Sequence, residues 1–344
     1  MGSPRPVLEG CIVEDGLPSQ ALDDPRAPRD TRTPDPIGIV TGMRFVPEAE
    51  QIAWFATMYG VGDVEASTAL PQALGLGGVR ITDIIQRSLD DLVDDPEGKL
   101  SETDHKIARY TEAGLFAILD LSYIRNALVE AGINPYRSTP ETDWIIRDAV
   151  TAVVTRRNTH TGVFYGEEPI FAYVALGGEP EGFRWGEDHR RADSFDELCA
   201  WYERVAGYWR EFSDIPTSTG GIMNFGHPDS NLDFPALAAL PCNEVPTVHI
   251  YEEHDLAALP DAVAAAHALD KPLVLEELGL DQAHYLDDDT RATAYRDVFA
   301  TVLAAGVDGV GLWNIGQGGG HDINPHDHQA TAHTIRQATA AQLL

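Results

Sequence analysis

From residue 52 onward, short apolar runs recur along the chain, separated by stretches whose apolar positions fall at helical spacing. Eight such runs stand out: Ile52–Met58, Gly78–Thr82, Phe116–Leu121, Ile170–Leu176, Gly221–Asn224, Pro246–Tyr251, Leu273–Glu277 and Gly309–Trp313. Segments such as FAILDL, IFAYVAL and PLVLEE are continuously apolar, as expected of parallel strands covered on both faces. Between them, Leu198, Trp201, Val205, Tyr208 and Phe212 recur at three- and four-residue intervals, which predicts a helix from about Ser194 to Phe212. Ser194 and Glu197 predict a capping box at its start. A second helix is predicted over Glu141–Arg157, opened by Thr139 as cap and Pro140 in its first turn, and others near 258–269, 289–305 and 328–342.

Strands alternating with helices predict βαβ units, and eight of them in this length favour a closed (β/α)8 TIM barrel. An open dinucleotide-binding sheet would need a Gly-rich turn after its first strand, and YGVGDV at 59–64 matches that pattern only loosely. Residues 1–36 carry seven prolines among many charges and little periodicity. They are expected to form an extended N-terminal arm, leaving 37–344 as a single catalytic barrel domain.

Composition narrows the partners. The chain has 344 residues, 24 Lys plus Arg against 55 Asp plus Glu, and a formal net charge of −31. Nucleic acid and anionic membrane surfaces are therefore not expected as partners. Cys11, Cys199 and Cys242 show no CxxC spacing, so neither a disulfide framework nor a zinc site is expected, and Cys199 is expected to be buried in its helix. With no signal-like start and no run long enough to span a bilayer, a cytoplasmic location is expected. Oligomeric state is open.

In a barrel of this kind the reactive groups stand at the C-terminal ends of the strands. The fourth run ends in Leu176-Gly177-Gly178-Glu179-Pro180-Glu181 and the seventh in Leu275-Glu276-Glu277-Leu278-Gly279. Carboxylates at strands four and seven can face each other over a bound sugar, the arrangement that glycosidic cleavage needs, with one group to protonate the departing oxygen and the other to engage the anomeric carbon. The acid should then have a raised pKa, helped by the charge of its neighbour.

The segments RRNTHTGVFYGEEPIFAYVALGGEPEG (156–182) and DKPLVLEELG (270–279) resemble the two catalytic motifs of glycoside hydrolase family five, the retaining β-mannanases and cellulases, and the resemblance extends over residues 37–340. It is strongest toward the β-mannanase branch. It implies Glu179 as acid/base and Glu277, not Glu276, as nucleophile. Strand alternation agrees, since adjacent side chains point to opposite faces and only one of the two glutamates should face the barrel axis. Glu276 is then expected to face the helix layer or a neighbouring hydrogen-bond donor. The resemblance further implies that Arg80 steadies the nucleophile, that His249 and Tyr251 line the sugar site with Tyr251 bonded to the nucleophile, and that Trp313 is the platform under the reacting sugar. Trp185 is a candidate second platform on the rim, whereas Trp201 and Trp209 lie in a helical pattern and are expected to be packing residues.

Two features depart from the family pattern. Gly178 replaces the Asn whose amide binds the sugar 2-hydroxyl, and Leu278 replaces the usual aromatic after the nucleophile. The loop GGGHDINPHDH (318–328) has no recognised ligand spacing, and SLDDLVDDPEG (88–98) lacks a calcium ladder and reads as a solvated loop. No metal and no cofactor are expected. The expected activity is retaining hydrolysis of β-mannosides or manno-oligosaccharides by double displacement, with an oligosaccharide as partner. The alternatives are a β-glucosidase or endo-β-1,4-glucanase of the same family, or a non-catalytic carbohydrate-binding barrel.

Overall fold

Eight strands run parallel around the sheet: β1 (Ala53–Thr57), β2 (Gly78–Ile81), β3 (Phe116–Asp120), β4 (Phe171–Ala175), β5 (Thr217–Ser218), β6 (Thr247–Ile250), β7 (Val274–Leu278) and β8 (Gly309–Leu312). Their order is β5-β4-β3-β2-β1-β8-β7-β6. In this computed structural model the described residues are 52–58, 64–82, 84, 88–94, 100–180, 182–183, 185–316 and 318–341. The expected N-terminal arm, Cys11 and most of the YGVGDV segment lie outside them. Helices fill the connections, from α1 (Val64–Ala73), α2 (Leu89–Asp94), α3 (Leu100–Ala113), α4 (Ser122–Glu130), α5 (Pro140–Val154) and α6 (Phe195–Arg210) to α7 (Phe234–Ala239), α8 (Glu253–His267), α9 (Asp288–Ala305) and α10 (Gln329–Ala340). The fold is a (β/α)8 barrel. No helix among the described residues is long and apolar enough to cross a membrane.

The fifth strand is not where hydropathy puts it. β5 is Thr217–Ser218, and of the expected run Gly221–Asn224 only Ile222 pairs, by a single parallel bridge to Val248. That bridge joins the fifth and sixth positions of the barrel, with Ile222 N–H donating to the Thr247 carbonyl at 3.1 Å and His249 N–H donating to the Ile222 carbonyl at 3.0 Å. The strand escapes notice because its hydroxyls are satisfied inside the protein. Thr217 Oγ1 donates to the Cys242 carbonyl at 2.6 Å and Ser218 Oγ meets Thr247 Oγ1 at 3.1 Å, so polar residues are buried there at little cost.

The caps follow the sequence with one change. Thr139 accepts from Thr142 N–H at 3.1 Å, and Ser194 accepts from Glu197 N–H at 3.1 Å. Glu197 returns its bond to Asp193 N–H rather than to Ser194, so the capping box is displaced by one residue. The acidic stretch after β2 is also not all loop. Leu89, Leu92 and Val93 supply an apolar face at helical spacing, and Asp91 N–H donates to Ser88 Oγ, which starts α2. Residues 95–98 of that stretch lie outside the described residues. Trp201 and Trp209 are fully buried packing residues, and Cys199 is half-buried, less than its helical position suggested.

Inside the barrel, Phe55, Ile118, Tyr173 and Val274 from four different strands form a cluster separate from the shell between strands and helices. Gly311 on β8 leaves room for Phe55, since a Cβ there would stand 2.4 Å from the ring. Just before β4, Glu168 is buried at 2 % exposure, and its Oε2 has no hydrogen-bond partner. Burial raises its pKa to about 7, against a weaker opposing bond from Thr161. The folded state therefore binds this proton more tightly than the unfolded chain does. Its contribution is fully present below the ordinary carboxylate pKa of about 4.5 and is lost as pH rises through about 7, a difference of about 3 kcal/mol. Glu168→Gln is expected to remove that loss, so that chemical denaturation at about pH 8 finds the variant more stable than wild type. Parallel pH dependences for the two proteins would contradict it.

Candidate active site

The C-terminal ends of the strands surround a cavity of about 570 Å³ lined by Arg80, Asp120, Gly178, Glu179, His249, Glu277 and Trp313 among others. Arg80 projects from β2, Asp120 ends β3, Glu179 follows β4, His249 lies on β6, Glu277 on β7 and Trp313 just past β8. One carboxylate oxygen of Glu179, one of Glu277 and one ring nitrogen of His249 all lie within 4.8 Å of one another. Almost a hundred residues separate the two glutamates in sequence, and the closed sheet brings them across one opening.

Glu277 is held on both oxygens. Arg80 Nη1 donates to Oε1, and the Tyr251 hydroxyl donates to Oε2 at 2.6 Å. Arg80 in turn donates through Nη2 to Asp120, and lies 3.5 Å from Glu276. A guanidinium and a phenol thus fix the orientation of one carboxylate from both sides. Tyr251 itself stays protonated, because burial and then the adjacent Glu277 charge push its pKa far upward.

His249 sits between carboxylates. Its Nδ1 is 2.8 Å from Glu179 Oε1 and 3.3 Å from Glu277 Oε2, and its Nε2 is 3.2 Å from Glu276 Oε2. The ring fits there because Gly221 lacks a side chain, since a Cβ would stand 1.8 Å from the imidazole. Burial works against charging His249, but Glu277, Glu179 and Glu276 outweigh it and raise its pKa to about 10. Burial likewise pushes Glu179 upward, yet His249, Arg80 and Arg125 prevail and hold it below the usual carboxylate range. The raised acid expected from the sequence is not found, because a basic imidazole and two guanidinium groups beside Glu179 outweigh its burial and favour the carboxylate.

Glu276 corrects the alternation argument. The pairing runs Val248 to Leu275 and then His249 to Glu277, and on the other side Val310 to Leu275 and then Leu312 to Leu278. β7 therefore carries one extra residue against both neighbours, a bulge that lets adjacent side chains turn inward together. Glu276 is fully buried and accepts from the Tyr173 hydroxyl at 2.8 Å and from Gly221 N–H at 3.0 Å. Donors from β4, from β6 and from the segment after β5 place it inside the barrel, below Glu277, and not toward the helices.

The loop carrying Glu179 is shaped by its glycines. A Cβ at Gly177 would stand 2.4 Å from the Trp201 ring, and Gly178 has φ +60°. A side chain at 178 would meet Ser122 Cβ at 3.2 Å and Oγ at 3.7 Å, with Arg125 Nη2 at 4.0 Å. Both residues line the cavity from α4, and Arg125 Nη1 donates to the Glu179 carbonyl at 2.8 Å. Sequence reasoning missed them, because nothing in a single chain shows which loop faces position 178. Asp120 it could have found, as an ionisable residue ending an apolar strand.

Trp185 is half-buried against the core and, among the described residues, stands apart from the cavity lining. The His- and Asp-rich loop after β8 is pinned instead by Arg291, which donates to the Asp322 and His321 carbonyls at 2.8 and 2.9 Å. His321 rests edge-on against Tyr251 with ring centroids 5.4 Å apart. Glu179, His249 and Glu277 are near enough to share a cation, but both oxygens of Glu277 and both ring nitrogens of His249 are already hydrogen-bonded within the site, which leaves Glu179 Oε2 of the three residues' ligand atoms.

No protein-family model matches the chain, and no curated protein matches it in sequence. Solved structures share its fold. An endo-1,4-β-mannanase from Rhizomucor miehei superposes with a TM-score of 0.69 at 19% identity, covering 85% of this chain and 95% of its own. An endo-β-1,4-mannanase from Thermotoga petrophila gives 0.70 at 18% identity, covering 88% of this chain and 78% of its own. A glycoside hydrolase family 5 mannosidase from Rhizomucor miehei gives 0.59 at 16% identity, covering 79% and 85%.

Proposed function

We propose that this protein is a retaining β-glycoside hydrolase of family five that acts on β-mannosides or short manno-oligosaccharides, with Glu179 as acid/base and Glu277 as nucleophile. The observation that carries the reading is the approach of one oxygen of Glu179 to within 4.8 Å of one oxygen of Glu277 across the barrel mouth. Retaining enzymes hold this pair roughly 5–5.5 Å apart, whereas inverting ones leave roughly 6.5–9.5 Å for a water between them. The structural likeness to mannanases and a mannosidase supports the sugar class.

The chemistry runs in two halves. A Glu277 oxygen attacks the anomeric carbon from the face opposite the leaving group, while Glu179 gives its proton to the glycosidic oxygen. The carbon–oxygen bond to the leaving group breaks as the ester to Glu277 forms. Glu179, now ionised, takes a proton from water as that water attacks the same carbon, and Glu277 departs as carboxylate. His249 bonds Glu179 at Oε1, which leaves Oε2 for the glycosidic oxygen. Trp313 offers an indole face for the CH groups of the pyranose.

Ser122 and Arg125 take over at Gly178, supplying a hydroxyl and a guanidinium beside the position where the family's Asn would project. The cavity continues past them along α4 to Asn126 and Glu130, a polar lining suited to a short saccharide. Aryl β-mannoside, β-glucoside and 2-deoxy-β-glycoside substrates should be compared on the purified protein, with a 2-fluoro sugar to trap the ester. The expected result is fastest release from the mannoside, a marked loss with the 2-deoxy sugar, and a mass adduct on the peptide bearing Glu277. An adduct on any other residue overturns the nucleophile, and equal rates with the 2-deoxy sugar remove the proposed reading at Ser122 and Arg125.

A further inference from the structure

Glu276 takes no part in the two-step chemistry, yet it is the most enclosed acid of the site and contacts four other groups. It also lies on the bulge that turns Glu277 to the mouth. The ring of His249 bridges the two levels, with Nε2 directed down to Glu276 and Nδ1 directed up to Glu179. A carboxylate accepts hydrogen bonds and does not donate them, so both ring nitrogens must carry protons if both bonds form. A neutral imidazole would place a lone pair against one of the two carboxylates.

We propose that Glu276 is a positioning residue that locks His249 as an imidazolium through its Nε2–H, so that the Nδ1–H holds Glu179 in place and sets its proton affinity. Every charged or titratable group around the ring fits this role. Glu179 faces it from the loop after β4, Glu276 and Glu277 from β7, and Arg80 from β2 lies against Glu276 and Glu277. Tyr173 on β4 donates to Glu276, and Tyr251 beyond β6 donates to Glu277. With Arg80, Tyr173, Gly221 and His249 about it, Glu276 stays ionised. Burial alone would raise its pKa, but Arg80 and His249 bring it down to about 2. The consequence reaches Glu179, because a cation bonded to it disfavours the protonated acid. Glu276, which never touches substrate, shares the ring's charge from below and so limits that pull on Glu179.

The test uses the whole protein and two readouts. Nitrogen-15 NMR of the histidine rings, with a His249→Gln variant identifying the signal, is expected to show an imidazolium persisting above about pH 8 in wild type. In Glu276→Gln the ring should titrate at least about one pH unit lower, and the alkaline limb of kcat/KM should move downward by about half a unit or more, because the ring is still cationic where Glu179 titrates and no longer shares its charge with a carboxylate below. Tyr173→Phe disturbs the same cluster but keeps the charge, and is expected to leave both values in place. A neutral His249 in wild type at about pH 7 overturns the proposal, as does an unchanged ring titration in Glu276→Gln. Were that variant not to fold, the wild-type ring alone decides. The kinetic arm rests on the glycosidase reading, whereas the NMR arm does not, so an imidazolium without turnover would fault that reading and leave the Glu276 link standing.

Discussion

Replacing Glu277 by Ala is expected to lower kcat for an aryl β-mannoside by about 10⁴-fold, roughly 5 kcal/mol of transition-state stabilisation. The loss is large because Glu277 is proposed to form the ester that divides one difficult displacement into two easier ones. It also neutralises Arg80, and its removal leaves that guanidinium with Asp120 and Glu276. The truncated side chain opens a space beside the anomeric carbon that a small anion can enter. Azide added to Glu277→Ala should restore turnover and give the α-glycosyl azide, since it attacks from the face opposite the β-linked leaving group. Glu276→Ala, one residue away but beneath the site, should show no such rescue. A β-azide from the Glu277 variant, or rescue of the Glu276 variant instead, would refute the assignment.

Much of the barrel was legible because parallel strands buried on both faces must be apolar throughout, and seven of the eight lie within a residue or two of the runs that hydropathy marks. The eighth, Thr217–Ser218, was not legible. Its residues satisfy their own hydroxyls through Cys242 and Thr247, and no local pattern reports a partner that tertiary structure supplies. The convergence of Arg80, Glu179, His249, Glu277 and Trp313 on one cavity follows from their places at the carboxyl ends of the strands. The bulge does not follow from the sequence. It appears only as a slip in register against two neighbouring strands, and it invalidated the simple alternation that separated Glu276 from Glu277. Ser122 and Arg125 were hidden for a related reason, since their meaning depends on the missing side chain at Gly178 across the cavity.

Glu179 should betray its role through the leaving group. In Glu179→Gln, cleavage of a glycoside with a poor leaving group is expected to fall by about 10³-fold, because nothing protonates the departing oxygen. A dinitrophenolate departs without a proton, so the first half-reaction with that substrate should be little changed. The second half, which needs a base to activate water, becomes slow, and an initial burst should appear. Glu179 is held below the ordinary carboxylate range by His249, Arg80 and Arg125 despite its burial. Its proton is therefore lost early as pH rises, and kcat/KM of the wild type should decline along an alkaline limb already in the acidic range. The Gln variant has no proton to lose there and should show no such limb. If both leaving groups suffer equally and the limb survives in the variant, the proton comes from another group. The imidazolium of His249, which lies 2.8 Å from Glu179 Oε1, would then be the donor to examine.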